Sequence, residues 1–317
     1  MPNLTRAALI QLTLVAASAR AAVAQTDKLT TVHFNAMVAD AVRPVLYGQQ
    51  SGVFRQAGLD VVWERAASGA VATQAIVGGA SDIGQSNIIA MITAYARGIP
   101  FVLVAPSIMY RKDNATAGIV VAANSPIRNP VELQGKVVAC ATGGIAYLGL
   151  RAVIDKAGGD SSTVKWLELP NTAIAAALEG GRIDAGLMAE PNLMQDIRTG
   201  KVRLLVDELT GYDRPILEAV YFTTRDYAAK NRETIIRFAK ALEKAQIYAN
   251  THVAETNSLL TPYTGMDPKI VADMRHGYFA PTFDPAAIQP VIDLAAKYKV
   301  IPQRFEAREL LATVLPQ

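Results

Sequence analysis

The sequence predicts an α/β protein made of two similar lobes with a ligand cleft between them. Short apolar segments alternate with helical segments along the chain, which is typical of parallel sheets with crossover helices. A Gly-rich motif occurs twice, as GGASDIG at residues 78–84 and as GGRIDAG at residues 180–186. The chain has 317 residues and 51% hydrophobic content, which is enough for a packed core in each lobe.

The first copy of the repeat alternates strands with helices whose ends are marked by typical capping residues. Ser68 and Gly69 open its central helix and Gly78 follows it. We predict strands at 29–34, 60–64, 82–84 and 101–105, and helices at 42–50, 71–77 and 88–97.

The second copy follows the same plan. Asn171 and Thr172 open its central helix and Gly180 follows it. We predict strands at 136–141, 164–169, 183–188 and 202–206, and helices after Gly144, at 173–179 and at 192–198.

Two further strand-like segments, 118–123 and 219–224, flank the second copy. We expect them to carry the chain between the lobes and to act as a hinge. The tail from Asp226 onward is mainly helical and is assigned to the first lobe. The predicted domains are lobe 1 at 25–121 and 217–317, and lobe 2 at 122–216.

The N-terminus has the order of a secretory signal peptide. Arg6 precedes a mostly apolar run at 7–17, and small residues follow up to Ala24. The run is too short to span a bilayer. We therefore expect residues 1–24 to be removed and the mature chain to be periplasmic. No cysteine lies near the cleavage point, so a lipid anchor is not expected.

Composition and spacing argue against several other classes. The formal net charge is +3 and no Lys/Arg run exceeds two residues, so a nucleic-acid interface is not expected. The three histidines lack metal-ligand spacing, and we expect neither a metal nor a cofactor. Cys140 lies in an apolar strand without an evident base, which favours a buried thiol over a nucleophile. No G-x-x-x-x-G-K-[ST] motif occurs, so nucleotide hydrolysis would require a separate subunit.

Four motifs occur in order: YGQQSGVFRQAGLDVVW, ASGAVATQAIVGGASDIGQSN, VVAANSPIRNPVELQGKVVACATGGIAYLGLRAVIDKAGGD and LEGGRIDAGLMAEP. Together they resemble the substrate-binding proteins of ABC importers, in the nitrate/sulfonate/taurine and thiamine-precursor branch (SsuA/THI5-like, NMT1-like). The likeness covers approximately residues 28–250. It implies the type II periplasmic-binding-protein fold, in which two α/β lobes joined by two strands close on a small ligand.

Candidate ligand residues lie at the carboxyl ends of the predicted strands, where open α/β sheets bind ligands. The first lobe supplies Asn35, Ala36, Met37, Ser68, Gly69, Gln85, Ser86 and Asn87. Ser68 and Asn87 are equally well explained as helix N-caps, so both roles stay open for them.

The second lobe supplies Thr142, Gly143, Gly144, Ile145, Asn171, Thr172, Glu190 and Pro191. Gly143 and Gly144 precede a helix whose N–H groups and dipole suit an anionic head group, although a tight turn alone would also require glycine. Glu190 is unfavourable beside an anion unless it pairs with a cation across the lobes or with a ligand N–H.

The leading hypothesis is a binding protein that captures a small anionic or polar organic solute, such as a sulfonate, a taurine-like solute or a carboxylate. It would deliver this ligand to an ABC permease with its ATPase subunit, and we expect it to be a monomer. A pyrimidine or thiamine-precursor ligand is the alternative. A sensory receptor and an enzyme on the same scaffold are further alternatives, but no acid–base constellation favours an enzyme.

Overall fold

A computed structural model describes residues 29–111, 115–265, 267–311 and 313. The predicted signal peptide, residues 1–24, lies outside the described residues. Within those ranges, no helix is both long enough and apolar enough to cross a membrane.

The first sheet has five strands, numbered here in chain order. They are β1 (Thr30–Ala36), β2 (Leu59–Arg65), β3 (Ile83–Asn87), β4 (Phe101–Pro106) and β12 (Ala219–Thr224). The strand order is β2-β1-β3-β12-β4. β1 is parallel to β2 and β3, whereas β12 is antiparallel to both of its neighbours.

The second sheet repeats this arrangement. Its strands are β6 (Ala117–Ala122), β7 (Val137–Ala139), β8 (Lys165–Leu167), β9 (Ala185–Ala189) and β10 (Val202–Asp207). Read from one edge, the order is β8-β7-β9-β6-β10, and β6 is the antiparallel strand. The equivalent strands of the two sequence copies therefore occupy equivalent positions, which confirms the predicted two-lobe α/β fold class.

A small third sheet lies where the chain passes between the two large ones. It consists of β5 (Ile108–Tyr110), β11 (Ile216–Leu217) and β13 (Tyr278–Phe279), in the order β11-β5-β13. β5 follows the first sheet and β11 follows the second, so these two antiparallel strands carry the crossings.

The assignment of 118–123 and 219–224 as crossing segments was wrong. β6 is hydrogen-bonded on both sides within the second sheet, and β12 on both sides within the first. Strands paired on both edges are integral parts of a sheet, and the crossings fall just outside them.

Helices cover the sheets and form the C-terminal tail. Those of the two repeats are α1 (Arg43–Gln50), α2 (Val53–Gln56), α3 (Gly69–Val77), α4 (Ile88–Ala96), α5 (Ile145–Lys156), α6 (Ile174–Glu179) and α7 (Asn192–Arg198). Those of the tail are α8 (Arg225–Lys230), α9 (Arg232–Thr251), α10 (Val253–Ser258), α11 (Thr261–Thr264), α12 (Pro268–Asp273), α13 (Pro285–Lys297) and α14 (Ala307–Leu311).

The tail packs on both repeats. Helix α9 buries an apolar stripe against the first sheet, where Phe238 stacks on Phe54 with ring centroids 5.5 Å apart. Helix α13 lies against α4 and α5, and Ile288 joins one apolar cluster with Ile145. The lobe boundaries given above remain a prediction.

Candidate ligand-binding site

A cavity of about 310 Å³ lies between the two large sheets. Its walls come from the carboxyl ends of first-sheet strands, from second-sheet residues beside β9 and β10, and from the crossing strands. Pockets that enclose small ligands in proteins begin at about 300 Å³. The cavity therefore suits a ligand of few atoms that contacts both sheets at once.

The first-sheet side of the cavity contains five of the predicted residues, and all five are uncharged. They are Met37, Gly69, Gln85, Ser86 and Asn87. The Asn87 side chain accepts a hydrogen bond from the Ala90 N–H at 2.9 Å, and it thereby caps α4. A Cβ added at Gly69 would lie 3.3 Å from Ser86 Oγ, so the missing side chain lets α3 approach β3 closely.

The second-sheet wall contains Glu190 and Pro191. The Glu190 carboxylate accepts hydrogen bonds from the main-chain N–H groups of Met194 and Arg275, at 3.1 Å and 3.4 Å. Burial raises the pKa of Glu190, although the hydrogen bonds from these two N–H groups act to lower it. The Arg275 guanidinium pairs with Asp207 instead, at 3.0 Å. Glu190 thus contacts the tail through the main-chain N–H of Arg275 rather than through an ion pair with its guanidinium group.

A second groove, of about 390 Å³, lies between α4 and the loop before α5. Thr142, Gly143 and Gly144 line this groove and not the cavity, while Asn87 borders both. Gly143 has a φ of 77°, a left-handed conformation that favours glycine and accounts for its presence in the turn. Thr142 donates from its N–H and its hydroxyl to Glu168. An anion at this loop would therefore meet a carboxylate, and its binding there stays a prediction.

Three predicted polar residues have structural hydrogen bonds and line neither space. Asn35 lies within β1, rather than in a loop after it, and donates to Ser81 Oγ at 3.1 Å. Ser68 Oγ accepts from the Val71 N–H at 3.2 Å, which makes it the cap of α3. The Asn171 amide exchanges two hydrogen bonds with the Ala189 main chain and thereby fixes the end of β9.

Three other predicted residues also lie away from the cavity. Ala36 is buried in β1 and Ile145 is buried at the start of α5, because both supply apolar surface to a core. Thr172 is exposed in a short 3₁₀ turn.

Sequence reasoning missed three carboxylates that line the cavity, at Asp40, Glu208 and Glu218. With Glu190 they make four acidic residues in its wall, and no Lys, Arg or His is among the described residues that line it. Each missed residue lies directly beside an apolar segment, where a carboxylate is usually exposed. The available signal was an acidic residue at the end of an apolar segment, as for Glu208 after β10 and Glu218 before β12.

Asp40 is fully paired. Its Oδ1 lies 2.6 Å from Arg43 Nε and 3.0 Å from His276 Nδ1, and its Oδ2 accepts from the Gly277 N–H at 2.6 Å. Burial alone would raise the pKa of Asp40, but the Arg43 charge and the two tail contacts lower it below its usual value. Arg43 itself is 0% exposed and also donates to Thr256 Oγ1.

Glu208 and Glu218 lie at the crossings and lack such partners. Glu208 follows β10 and Glu218 precedes β12, and neither carboxylate takes part in a hydrogen bond or ion pair within the described ranges. Burial raises the pKa of Glu208 well above its usual value, and the charges of Glu218 and Asp207 raise it further. Burial, together with the charge of Asp40, raises the pKa of Glu218 to about 7.

Cys140 is 4% exposed at the end of β7. Burial raises the pKa of its thiol to about 12, and the charges of Glu208 and Glu168 contribute to the same shift. A thiol in this environment stays protonated at neutral pH and is a weak nucleophile. Within the described ranges, no group of three or more His, Cys, Asp or Glu residues is arranged to hold a metal ion.

Comparison with known proteins supports the same architecture. A putative aliphatic sulfonates-binding protein of Bacillus subtilis is 25% identical over 242 residues, which cover 75% of this chain and 71% of that protein. The crystal structure of the periplasmic aliphatic sulphonate binding protein SsuA from Escherichia coli matches with a TM-score of 0.73 at 23% identity, over 88% of this chain and 96% of that one. The desulfurization enzyme DSZB matches with a TM-score of 0.66 at 14% identity, over 89% and 96% of the two chains. At these identities, the structural matches establish the fold.

The family follows from the sequence profile described as NMT1/THI5 like, which matches residues 41–256. This match begins just before helix α1 and spans the rest of the first repeat, the whole of the second repeat and helix α9. Because the match covers more than half of the chain, the protein belongs to the NMT1/THI5-like family.

Proposed function

We propose that this protein is the extracytoplasmic solute-binding component of an ABC importer. The observation that carries the proposal is the cavity itself, which draws its walls from two sheets of identical strand order joined by two crossing strands. A ligand held in such a cavity stabilises the arrangement in which the two sheets face each other. A permease can then distinguish the loaded protein from the empty one.

Contacts between the second repeat and the tail support a closed arrangement. Arg198 pairs with Asp273 at 2.8 Å, and the Tyr298 hydroxyl donates to Asp155 at 2.7 Å. The Arg198 pair is exposed, so by itself it contributes little. Ligand contacts in the cavity would therefore supply most of the additional free energy of closure.

We infer a small polar organic solute as the ligand. A sulfonate or a taurine-like solute is consistent with the name of the Bacillus subtilis relative. A sulfonate or a carboxylate is also consistent with the start of α3, which lines the cavity at Gly69. A pyrimidine or a thiamine precursor is the alternative within the same family. The residues proposed to contact it are those that line the cavity.

The proposed setting is the periplasm. The name of the Escherichia coli structural relative supports this location, as does the signal-like order of residues 1–24. The proposed partners are a membrane permease and its ATPase subunit, and we propose that the protein acts as a monomer.

A binding role is favoured over catalysis. The sulfonate-binding relatives are named as binding proteins, while an enzyme shares the fold at 14% identity. The buried Cys140, whose pKa is raised to about 12, supports the absence of a thiol nucleophile. Turnover of a bound solute by the purified protein would contradict this part of the proposal.

Ligand binding is testable by thermal unfolding of the purified protein with a panel of sulfonates, carboxylates, amines, amino acids and pyrimidines. Ligand at one hundred times its Kd adds about 2.7 kcal/mol to the stability. We expect a rise in Tm of about 5 °C for at least one member. Native mass spectrometry of protein purified without unfolding would identify any retained solute.

A matched pair of variants assigns the binding to the cavity. Ala189→Phe places a ring in the cavity wall, whereas Ala176→Phe adds the same ring on the exposed face of α6. We expect the first variant to lose the ligand-induced rise in Tm and the second to retain it. Equal shifts in both variants would place the ligand elsewhere, and no shift with any solute would count against the proposed function.

A further inference from the structure

We propose that the ligand carries a cationic nitrogen, an ammonium or amidinium group, which pairs with Glu208 and Glu218 at the crossing end of the cavity. This inference rests on the proposed function and deepens it by naming the substrate class.

Glu208 carries the inference because it is buried, faces the cavity and lacks a partner. It is 6% exposed and lines the cavity, yet no described residue donates a hydrogen bond to its carboxylate or forms an ion pair with it. Asp40 and Glu190 line the same cavity, and both are satisfied by the protein itself. The unused acceptors at Glu208 are therefore available to a ligand.

The electrostatics of this end favour a positive charge. Glu208 and Glu218 raise the energy of each other's charged form, and Asp207 and Asp40 act in the same direction. Burial raises the pKa of the neighbouring Tyr212, and the Glu208 charge raises it further. A single cation between the two carboxylates relieves this repulsion and replaces the hydration that burial removes. An anion placed here would add a further like charge.

The two carboxylates come from different sides of the crossing. The Glu208 N–H donates to Ala117 O at the start of β6 in the second sheet. The Glu218 N–H donates to Ile108 O of β5, and Glu218 leads directly into β12 of the first sheet. A cation that contacts both carboxylates therefore ties the two sheets together. Binding of the charged group is therefore coupled to closure of the cavity.

An organic cation fits this cavity better than a metal ion. The described residues contain no group of three or more metal-ligating side chains, so two carboxylates alone face the cation. Apolar side chains adjoin them in the cavity wall, among them Ile108, Leu187 and Leu260. This combination suits a small organic body with a charged nitrogen at one end. Any sulfonate or carboxylate at the other end of the ligand would face the uncharged residues Gln85, Ser86 and Asn87.

The test compares probes that differ only at the nitrogen. Isothermal titration calorimetry would use 2-aminoethanesulfonate against 2-hydroxyethanesulfonate, and 3-aminopropanoate against propanoate. Each probe is titrated into the full-length protein and into Glu208→Gln, Glu218→Gln and Glu179→Gln. Glu179 is exposed on α6 and outside the cavity, so its variant is the matched control. Thermal unfolding without ligand checks that each variant is folded.

We expect at least one amino probe to bind at least about 10-fold tighter than its nitrogen-free partner. Glu208→Gln should weaken that binding by about 30-fold or more, because truncation of one member of a buried charge pair has effects of this size. Glu218→Gln should weaken it as well, and Glu179→Gln should not. The two substitutions at the crossing provide independent checks, should one of them disturb folding.

Three results would overturn the inference. Nitrogen-free probes that bind as tightly as the amino probes, with Glu208→Gln unchanged, would refute the cation site and leave the proposed function intact. Failure of every probe, together with failure of the whole solute panel in thermal unfolding, would refute the proposed function and this inference with it. Tight binding of a divalent metal ion alone, lost in Glu208→Gln, would replace the organic cation by an inorganic one.

Discussion

The cavity wall holds its carboxylates in two opposite ways. Asp40 is paired with Arg43, His276 and the Gly277 N–H, and its pKa is lowered. Glu208 and Glu218 find no such partners among the described residues, and burial raises the pKa of both. Carboxylates in the wall of one cavity therefore have two different roles.

The difference distinguishes a carboxylate that holds parts of the fold together from carboxylates that are available to bind a ligand. A carboxylate paired with a buried guanidinium is fixed in one place and fastens the tail to the first repeat. A carboxylate left unpaired reduces the stability of the empty protein, and it retains free acceptors for a ligand. Changes to the Asp40 pair should therefore affect folding, and changes to Glu208 and Glu218 should affect binding and pH dependence.

The largest effect on stability is expected from Arg43→Met. This substitution makes Asp40 resemble Glu208, because it leaves a buried carboxylate without its main partner. We expect the free energy of unfolding to fall by about 3–5 kcal/mol. Denaturant unfolding monitored by circular dichroism measures the change.

Arg198→Met provides the control for Arg43→Met. Its pair with Asp273 is about half exposed on both sides, so its removal should cost less than about 1 kcal/mol. The double variant Asp40→Asn with Arg43→Met should recover part of the stability, because no unpaired charge remains. Equal small losses for Arg43→Met and Arg198→Met would contradict the importance of the Asp40 pair.

Glu218→Gln should change the pH dependence of stability. The pKa of Glu218 is about 7 in the folded protein and about 4.5 without burial. The folded state thus holds a proton that the unfolded state releases, and this contribution to stability is lost as the pH rises from about 4.5 through 7. The variant has no such proton. It should match the wild type near pH 4.5 and exceed it by up to about 3 kcal/mol at pH 8.

The measurement for Glu218→Gln is the difference in unfolding free energy between variant and wild type at several pH values. Using the difference removes the contributions of other groups. One of these is Asp40, whose lowered pKa makes its contribution to stability increase as the pH rises. A difference that stays constant from pH 4.5 to 8 would show that Glu218 does not titrate in this range.

Equivalent glycines test whether the two repeats pack alike. Gly84 in β3 and Gly186 in β9 are the last residues of the repeated motif. A Cβ at Gly84 would lie 2.8 Å from Ile76 Cγ1, and one at Gly186 would lie 2.7 Å from Ile174 Cγ2. Each replacement by Ala should cost about 1–3 kcal/mol, because the helix cannot move away without opening the core.

A compensating change sharpens this comparison. Ile76→Ala added to Gly84→Ala removes one of the two clashing side chains, while the Phe222 ring still lies 2.8 Å from the added Cβ. The double variant should cost less than the sum of the two single changes. Strict additivity would indicate that the clash is relieved by movement elsewhere in the sheet.

The sequence was sufficient for the fold because the repeat is regular. The ten strands of the two large sheets overlap the ten segments predicted as strands, and the structure confirms their alternation with helices. Strands β5, β11 and β13 could not be predicted, because segments of two or three residues show no periodicity. The crossing segments were therefore assigned to the longer strands β6 and β12 that lie next to them.

The site was only partly predictable. The rule that ligands bind at the carboxyl ends of strands identified Gln85 and Ser86, which line the cavity from the end of β3 itself rather than from a loop after it. Whether a carboxylate finds a partner depends on distant segments, and His276 lies 236 residues beyond Asp40. No local pattern shows that Glu208 lacks such a partner. Asn35 and Asn171 were also indistinguishable from ligand residues until their structural hydrogen bonds were known.

The smallest effects are expected at the two helix caps, Ser68 and Asn87. Both side chains accept a hydrogen bond from an N–H three residues later, so replacement by Ala should cost about 1 kcal/mol in each case. The ligand-dependent effects should differ, because Asn87 lines the cavity and Ser68 does not. Ser68→Ala should retain the wild-type affinity, and Asn87→Ala should weaken it.

Asn87→Ser separates the two roles of that residue. A serine keeps the capping oxygen but removes the amide, so its stability should stay close to the wild type. If the amide contacts the ligand, the affinity measured by calorimetry falls in both Asn87→Ser and Asn87→Ala. If capping alone matters, Asn87→Ser binds the ligand as tightly as the wild type does. Asn87 would then act as a helix cap only, which is the role that the hydrogen bonds indicate for Ser68.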